Sequence, residues 1–388
     1  MKKDAYMKKL WRKHGEVLRD PHEIFAGAFS SSGINRRSLA FTATASFSKI
    51  VERLGITLLV SREYENLLLA LSFKRGKILQ SFFHVPHPSG IAVDKHGSVY
   101  VATTRNPNQI LEFRPTKNAL ERWGIPSSPA RILVPSRSKH LAGAYYLHDL
   151  AFIGNKLCGN AVGINSVVEI DMNRSDSPRS IWWPKCIERN GKPLQDANYI
   201  QLNSIAAGKT LSDSFFSASG DCILSTRPGN PAYSVDGTGV IFSGKTRTRS
   251  ASGLTRPHSA RFHGKKLIVA NSGYGEVGVI ENGAFSPRIK LPGWTRGLCI
   301  LKNVLFVGVS HILPRFYVYA PGVDPKKTMC GIFAISLSNW KVLGSIKFPY
   351  GNQIFAIESI SSKKALGFPY VDTRDGASEQ ATFLTFQV

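Results

Sequence analysis

Cysteine is scarce in this sequence: five residues in 388, at Cys158, Cys186, Cys222, Cys299 and Cys330. Their number is odd and no pair has CxxC spacing, which argues against a disulfide frame or a cysteine zinc site and fits free thiols in a reducing compartment. Cys158, Cys299 and Cys330 sit in apolar, strand-like contexts, as inert buried thiols do. Long apolar runs are also missing, since no stretch approaches the ~18 apolar residues of a membrane helix. The N-terminus MKKDAYMKKLWRKHGEVLRD is basic and lacks the apolar run and cleavage site of a secretory leader. A cytoplasmic protein without a transmembrane segment is expected. Acidic residues are few, 26 against 50 Lys and Arg, leaving a net charge of +24. Such a field attracts nucleic acid, acidic surfaces or anionic metabolites. Two catalytic signatures are absent. GNPAYSVDGTG lacks the strand-GxxxxGK[ST]-helix context of a phosphate loop, and no GxSxG elbow occurs.

What is present is a chain of short strands. Residues 1–50 form a basic extension in which Tyr6, Leu10, Trp11, Val17 and Leu18 fall near helical spacing. SKIVERLG (48–55) adds one more helical turn. From residue 51 onward, two apolar strands joined by a polar or Gly-bearing turn recur: ITLLVSREYENLLLALSF, GSVYVATTRNPNQILEF, KLCGNAVGINSVVEI, KKLIVANSGYGEVGVI and VLFVGVSHILPRFYVY. Recurrence at tens of residues with loop insertions marks a propeller or an array.

Each unit is preceded by a polar lead into a short apolar strand, as in HPSGIAVD, LHDLAFIG, QLNSIAAG, RPHSARFHG, GWTRGLCIL and GNQIFAIES. One register places Ser89, His148, Asn203, His258, Arg296 and Gln353 in a single column. Residues 55–85 have no inner strand of their own, so the C-terminal NQIFAIES is expected to complete the N-terminal blade. The expected fold is all-β: a six-bladed β-propeller over 51–388, closed by that strand, after a short N-terminal helical extension.

The segment HPSGIAVDKHGSVYVATTRNPNQILEF (87–113) strongly resembles an NHL repeat: His-Pro, a Gly-Ile-Ala-Val strand, an Asp-x-x-Gly turn, a Val-Tyr-Val-Ala strand and an Asn-rich turn. In general form the chain resembles the gluconolactonase and strictosidine-synthase group of six-bladed propellers. The series HDLAF, LNSIA, RPHSARFH, NSGYGEVG, WTRGLCIL, VGVS and IFAIE resembles a bacterial propeller family without a known reaction, over roughly residues 50–370. These resemblances imply the fold and no particular chemistry.

In a propeller the inner strands start at one mouth of the central channel, so the column should converge there. Asn160, Asn271, Ser272, Ser310 and His311, on the loops between second and third strands, form a candidate outer tier. His148 and His258 are candidates for proton exchange and Arg296 for bidentate capture of a carboxylate or phosphate. Ser89, Asn203 and Gln353 are candidates for orienting a ligand. Asp149 is a candidate partner for an imidazole, although neighbours on a strand face opposite ways. This set suits lyase, isomerase or hydrolase chemistry on an anionic small molecule. A second option is one divalent metal ion on His148, His258 and Asn203. Gluconolactonase-like propellers hold such an ion through acidic and amide side chains, but no column member here is acidic, and Asp149 and Glu358 lie off register. A third option is a non-enzymatic scaffold whose basic surface docks nucleic acid or an acidic protein. The densest basic run, GKTRTRSASGLTRPHSARFHGKK, lacks the interleaved aromatics of a base-stacking face.

Overall fold

The computed structural model describes residues 36–370 except 75, 106–107, 120–130, 227, 229 and 231, and also residues 386–387. The basic helix expected near residues 6–18 lies outside them. Among the described residues no helix is long and apolar enough to cross a membrane.

The strand–turn–strand units fold as antiparallel meanders, because a continuous apolar run bounded by turns buries both faces of a strand. In chain order the strands are β1 Ile56–Arg62, β2 Leu67–Lys74 and β3 Lys77–His84; β4 Pro88–Val93, β5 Val99–Thr103, β6 Asn108–Pro115 and β7 Leu133–Leu141. Next come β8 Leu147–Ile153, β9 Lys156–Ala161, β10 Ser166–Glu169 and β11 Arg179–Trp182, then β12 Leu202–Ala206, β13 Phe215–Ala218, β14 Gly239–Ser243 and β15 Arg249–Leu254. They are followed by β16 Pro257–His263, β17 Lys266–Asn271, β18 Glu276–Glu281, β19 Ala284–Lys290, β20 Trp294–Leu301, β21 Val304–Ser310, β22 Gly331–Ser336, β23 Val342–Lys347 and β24 Ala356–Ser361.

The C-terminal strand β24 pairs with β1, Ile56 opposite Ser361 through Ser61 opposite Ala356, giving a four-stranded sheet β24-β1-β2-β3. The expected closure is therefore present. β4–β7 and β8–β11 form two more four-stranded sheets, and β20–β23 plus a two-residue strand, Thr42–Ala43, form a five-stranded one. The separation expected for the remaining meanders is incomplete. β12–β15 and β16–β19 belong to one eight-stranded sheet, joined by a single parallel pair, Ser252 opposite Ala284. The architecture is all-β and propeller-like.

Neighbouring meanders share apolar clusters. Leu59, Leu68, Ile91 and Phe113 bridge the first two, and Cys158, Trp182, Ile205 and Phe216 bridge the third and fourth. Leu58, Val60, Phe306 and Ile332 join the last to the first. Each such buried side chain contributes about 1.5–3 kcal/mol. The helix α1, Ala45–Leu54, covers this last junction. Thr44 Oγ1 accepts the Phe47 N–H at 3.2 Å, Gly55 ends the helix at φ 64°, and Phe47, Ile50 and Val51 bury one face. It contains residues 48–54 of the helical turn expected at 48–55, and Gly55 is its cap. Trp182 packs tilted against Phe216 within the core, ring centroids 4.1 Å apart.

A belt of side-chain to backbone hydrogen bonds links successive inner strands. Ser61 Oγ donates to the Ser89 carbonyl (2.6 Å), and Ser89 Oγ donates to that of Leu147 (2.7 Å). Asp149 accepts the Ile205 N–H (3.0 Å), Ser204 that of Ala260 (2.8 Å) and Ser259 that of Gly297 (2.9 Å). Ser310 accepts the Ile354 N–H (3.0 Å), and Ser61 accepts that of Ala356 (3.0 Å). The belt coincides with register slips in β4, β8, β12, β16 and β20, at Pro88/Ile91, Leu147/Leu150, Leu202/Ser204, His258/Arg261 and Arg296/Leu298. A bulge re-aims side chains, which lets one position face the mouth and the next reach sideways to the neighbouring meander.

Candidate functional site

The inner strands open at a cavity of about 590 Å³. Four of the six column residues line it: His148, His258, Arg296 and Gln353. Ser89 and Asn203 are buried outside its lining, Ser89 in the belt and Asn203 with its amide nitrogen donating to Ser219 Oγ and the Pro257 carbonyl, both at 3.0 Å. The outer-tier residues do not line the cavity either. Asn271 accepts the Thr255 N–H and donates to Glu276, Ser272 donates to the Thr295 carbonyl, and Ser310 belongs to the belt. His311 contacts Thr328 Oγ1 through Nδ1 at 3.1 Å, and Asn160 is fully buried.

A second column completes the wall. Tyr146, Gln201, Arg256 and Trp294 each stand two residues before a column member and line the same cavity. Tyr146, Gln201 and Arg256 have φ of 49°, 48° and 54°, and His87 holds the equivalent place before Ser89 at 44°. Non-glycine residues reach this left-handed region at a cost of about 1–3 kcal/mol. Here it turns the chain into the strand while aiming the side chain at the mouth.

Two guanidiniums dominate the electrostatics. Arg256 donates from Nη1 to Gln201 Oε1 at 2.6 Å and lies over the Tyr319 ring, 4.4 Å from its centroid. Arg296 lies 3.3 Å over the Phe355 ring. The Gln353 amide satisfies both its neighbours when its oxygen accepts from Arg296 Nη1 and its nitrogen donates to Glu63 Oε2, each at 3.2 Å. Among the described residues neither arginine makes an ion pair within 4.0 Å. Both are nearly buried, at 4% and 7% exposure. Burial pulls each down to about 10, still well above neutrality, so both are charged at pH 7.

The histidines stand near these cations, ring centroids 6.4 Å apart. Burial, and then the nearby Arg296 charge, hold both well below the usual imidazole value, so both are neutral. Asp149 does not pair with His148. Its carboxylate accepts from Leu150 and Ile205 N–H and from Arg261 Nη1 and Nη2 at 2.9 and 3.2 Å. Glu63 is the carboxylate inside the mouth, bound by Thr104 Oγ1 at 2.6 Å and 3.7 Å from Arg105 Nη2. Two buried N–H donors in the wall, Arg256 Nε and Trp294 Nε1, have no acceptor among the described residues.

A divalent cation fits this set poorly. Among the described residues no three His, Cys, Asp or Glu side chains group as ligands. The Arg296 guanidinium beside the two imidazoles would also repel a cation held by them.

Residues 45–366 match a family described as "Domain of unknown function (DUF4915)". The chain belongs to this family. No curated protein matches it. Among solved structures, a chain in the crystal structure of a nidogen/laminin complex is similar over 79% of this chain and 98% of its own, with 10% identity and a TM-score of 0.51. A Bacteroides caccae protein of unknown function shares 12% identity over 79% of this chain and 99% of its own, with a TM-score of 0.47. A gluconolactonase from Xanthomonas campestris shares 13% over 68% and 77%, with a TM-score of 0.42. At these identities the first likeness speaks for the fold alone.

Proposed function

We propose that this DUF4915 member is a six-bladed propeller, with two blades touching at the Ser252–Ala284 bridge, that binds an anionic small molecule at its mouth. The observation that carries this reading is the pair of buried arginines without carboxylate partners in a cavity wall. A buried charge is costly unless a counter-ion or several hydrogen bonds satisfy it. Orphaned N–H donors at Arg256 and Trp294 ask for acceptor atoms, which an anion supplies. The two neutral imidazoles offer a ring nitrogen to hydrogen-bond a ligand or, once a bound anion offsets the guanidiniums, to take a proton, which keeps lyase, isomerase or hydrolase chemistry in view. The five free cysteines fit a reducing compartment.

Surface docking of nucleic acid or an acidic protein has less support. Much of the densest basic run is engaged internally. Arg247 pairs with Glu188, Arg249 with Asp221 and Arg261 with Asp149, while Arg256 lines the mouth.

The test is thermal unfolding and calorimetry with citrate, benzoate, succinate and inorganic phosphate. Organic anions should raise the melting temperature of the native chain, and Arg296→Met should remove the shift. A native chain indifferent to every anion, or an R296M variant that binds them unchanged, overturns the reading.

A further inference from the structure

Resting on that anion-binding reading, we infer that the mouth takes a dianion, with two separate acid groups carried on a flat apolar body. The local build is duplicated. Arg256 is held by one amide, Gln201, and backed by one ring, Tyr319. Arg296 is held by one amide, Gln353, and backed by one ring, Phe355. In each case the ring covers one face of the guanidinium and the amide takes one nitrogen, so the remaining N–H edge is the part left for a ligand. A planar five-donor fork exposed in this way matches a carboxylate or phosphate bidentately.

Charge balance sets the number of acid groups. Glu63 is already bound by Thr104, Gln353 and Arg105, and Asp196 accepts from the Tyr199 hydroxyl at 3.0 Å on the exposed rim. His148 and His258 carry no charge at neutral pH. Arg256 feels no carboxylate, and Arg296 shares the Glu63 charge with Arg105, so both inner guanidiniums keep positive charge to offset and a single monoanion would serve only one of them directly. They stand on successive inner strands, Arg256 just before β16 and Arg296 on β20, so one ligand lying across the mouth faces both.

The rest of the wall sets the body of the ligand. Trp294 and Phe355 lie beside the histidine rings, with centroids 6.3 Å from His258 and 5.6 Å from His148. Phe316 packs edge-on against Trp294 at 5.8 Å and on the Tyr64 ring at 6.2 Å. Such a wall offers flat apolar faces in the same cavity as the two guanidiniums, which a small aliphatic acid cannot cover. The cavity volume of about 590 Å³ also exceeds what inorganic phosphate fills.

The experiment is calorimetric titration of the full chain with acetate, benzoate, succinate, isophthalate and terephthalate. The aromatic dianions should bind at least roughly tenfold tighter than benzoate, because the second acid group meets a second buried arginine. Arg256→Gln and Arg296→Gln should each cost isophthalate and terephthalate more than they cost benzoate, closing the gap between the dianions and the monoanion. Arg256→Lys and Arg296→Lys, which keep the charge, should lose less. Equal affinity for benzoate and both phthalates in the native chain overturns the inference and leaves the anion pocket standing. Binding by succinate as tight as by the phthalates overturns the flat body and keeps the dianion. Failure of every probe overturns the underlying reading along with it. The native chain alone separates these outcomes, so they do not depend on whether any one variant folds.

Discussion

Replacing Asp149 with Asn tests the centre of the fold. Its carboxylate takes both Nη groups of Arg261 and two backbone N–H groups, at 5% side-chain exposure against 16% for the arginine. Removing one member of a buried pair typically costs 3–5 kcal/mol, because the other charge remains desolvated. Glu358 Oε1 stands 3.9 Å from Arg261 Nε and offers partial compensation, which places the expected loss at the low end, about 3 kcal/mol. Asn keeps an oxygen for the Ile205 N–H but turns an amide nitrogen toward the Leu150 N–H and Arg261 Nη2, so the loss includes one acceptor as well as the charge. In urea, followed by tryptophan fluorescence, a denaturant slope of about 3 kcal/mol per molar converts this to a midpoint lowered by about 1 M. Arg261→Met in the same background removes the stranded cation. The double variant should regain about 2 kcal/mol relative to the sum of the single variants. Additive single losses, or a D149N midpoint within about 0.2 M of the native one, would mean that Arg261 does not depend on this carboxylate for its charge balance.

Two further predictions concern stability. Burial raises the Glu358 carboxyl from 4.5 to about 7, against the opposing pull of Arg261. Its native state therefore holds a proton that the unfolded chain has released, and stability falls as pH rises from about 4.5 to 7. The advantage of Glu358→Gln over the native chain should widen between pH 5 and pH 8 in thermal melts; a constant gap would contradict the assignment. The buried histidines act with the opposite sign, since the unfolded chain protonates them below about 6.5 and stability is lost as pH falls. Gly90→Ala places a Cβ 2.4 Å from the Leu150 backbone nitrogen and 2.6 Å from Asp149 Cα, on the neighbouring meander. Since backbone must move, the expected loss is about 3 kcal/mol, measured by urea unfolding; a neutral substitution would mean that the two strands are not so closely apposed.

The repeat of polar lead and apolar strand was enough to place β4, β8, β12, β16, β20 and β24 and to pair the C-terminal strand with β1. That worked because the same short apolar strand, entered from polar residues, recurs at every meander. It also brought His148, His258, Arg296 and Gln353 together. Arg256, Gln201, Tyr146 and Trp294 were not legible. Three of them depend on left-handed backbone that a non-glycine residue does not announce, although counting two residues back from each column member would have found all four. Glu63 was missed because it comes from the turn after β1, in the one meander whose inner strand is supplied from elsewhere in the chain. Ser89 and Asn203 share the register yet do not line the mouth, because their short side chains are engaged by neighbours, Ser89 by the Leu147 carbonyl and Asn203 by Ser219 and the Pro257 carbonyl.

The Asp149–Arg261 contact also stands where two cavities come near each other. The mouth is lined by His148, His258 and Arg296, whereas a separate cavity of about 360 Å³ begins further along the same strands at Leu150, Arg261 and Leu298. The two share no lining residue, and the bonded pair spans the strands between them. On the proposed reading, an anion held at the mouth stands on one side of this bonded pair and the second cavity on the other, so the pair that balances charge in the core also marks the floor of the binding site.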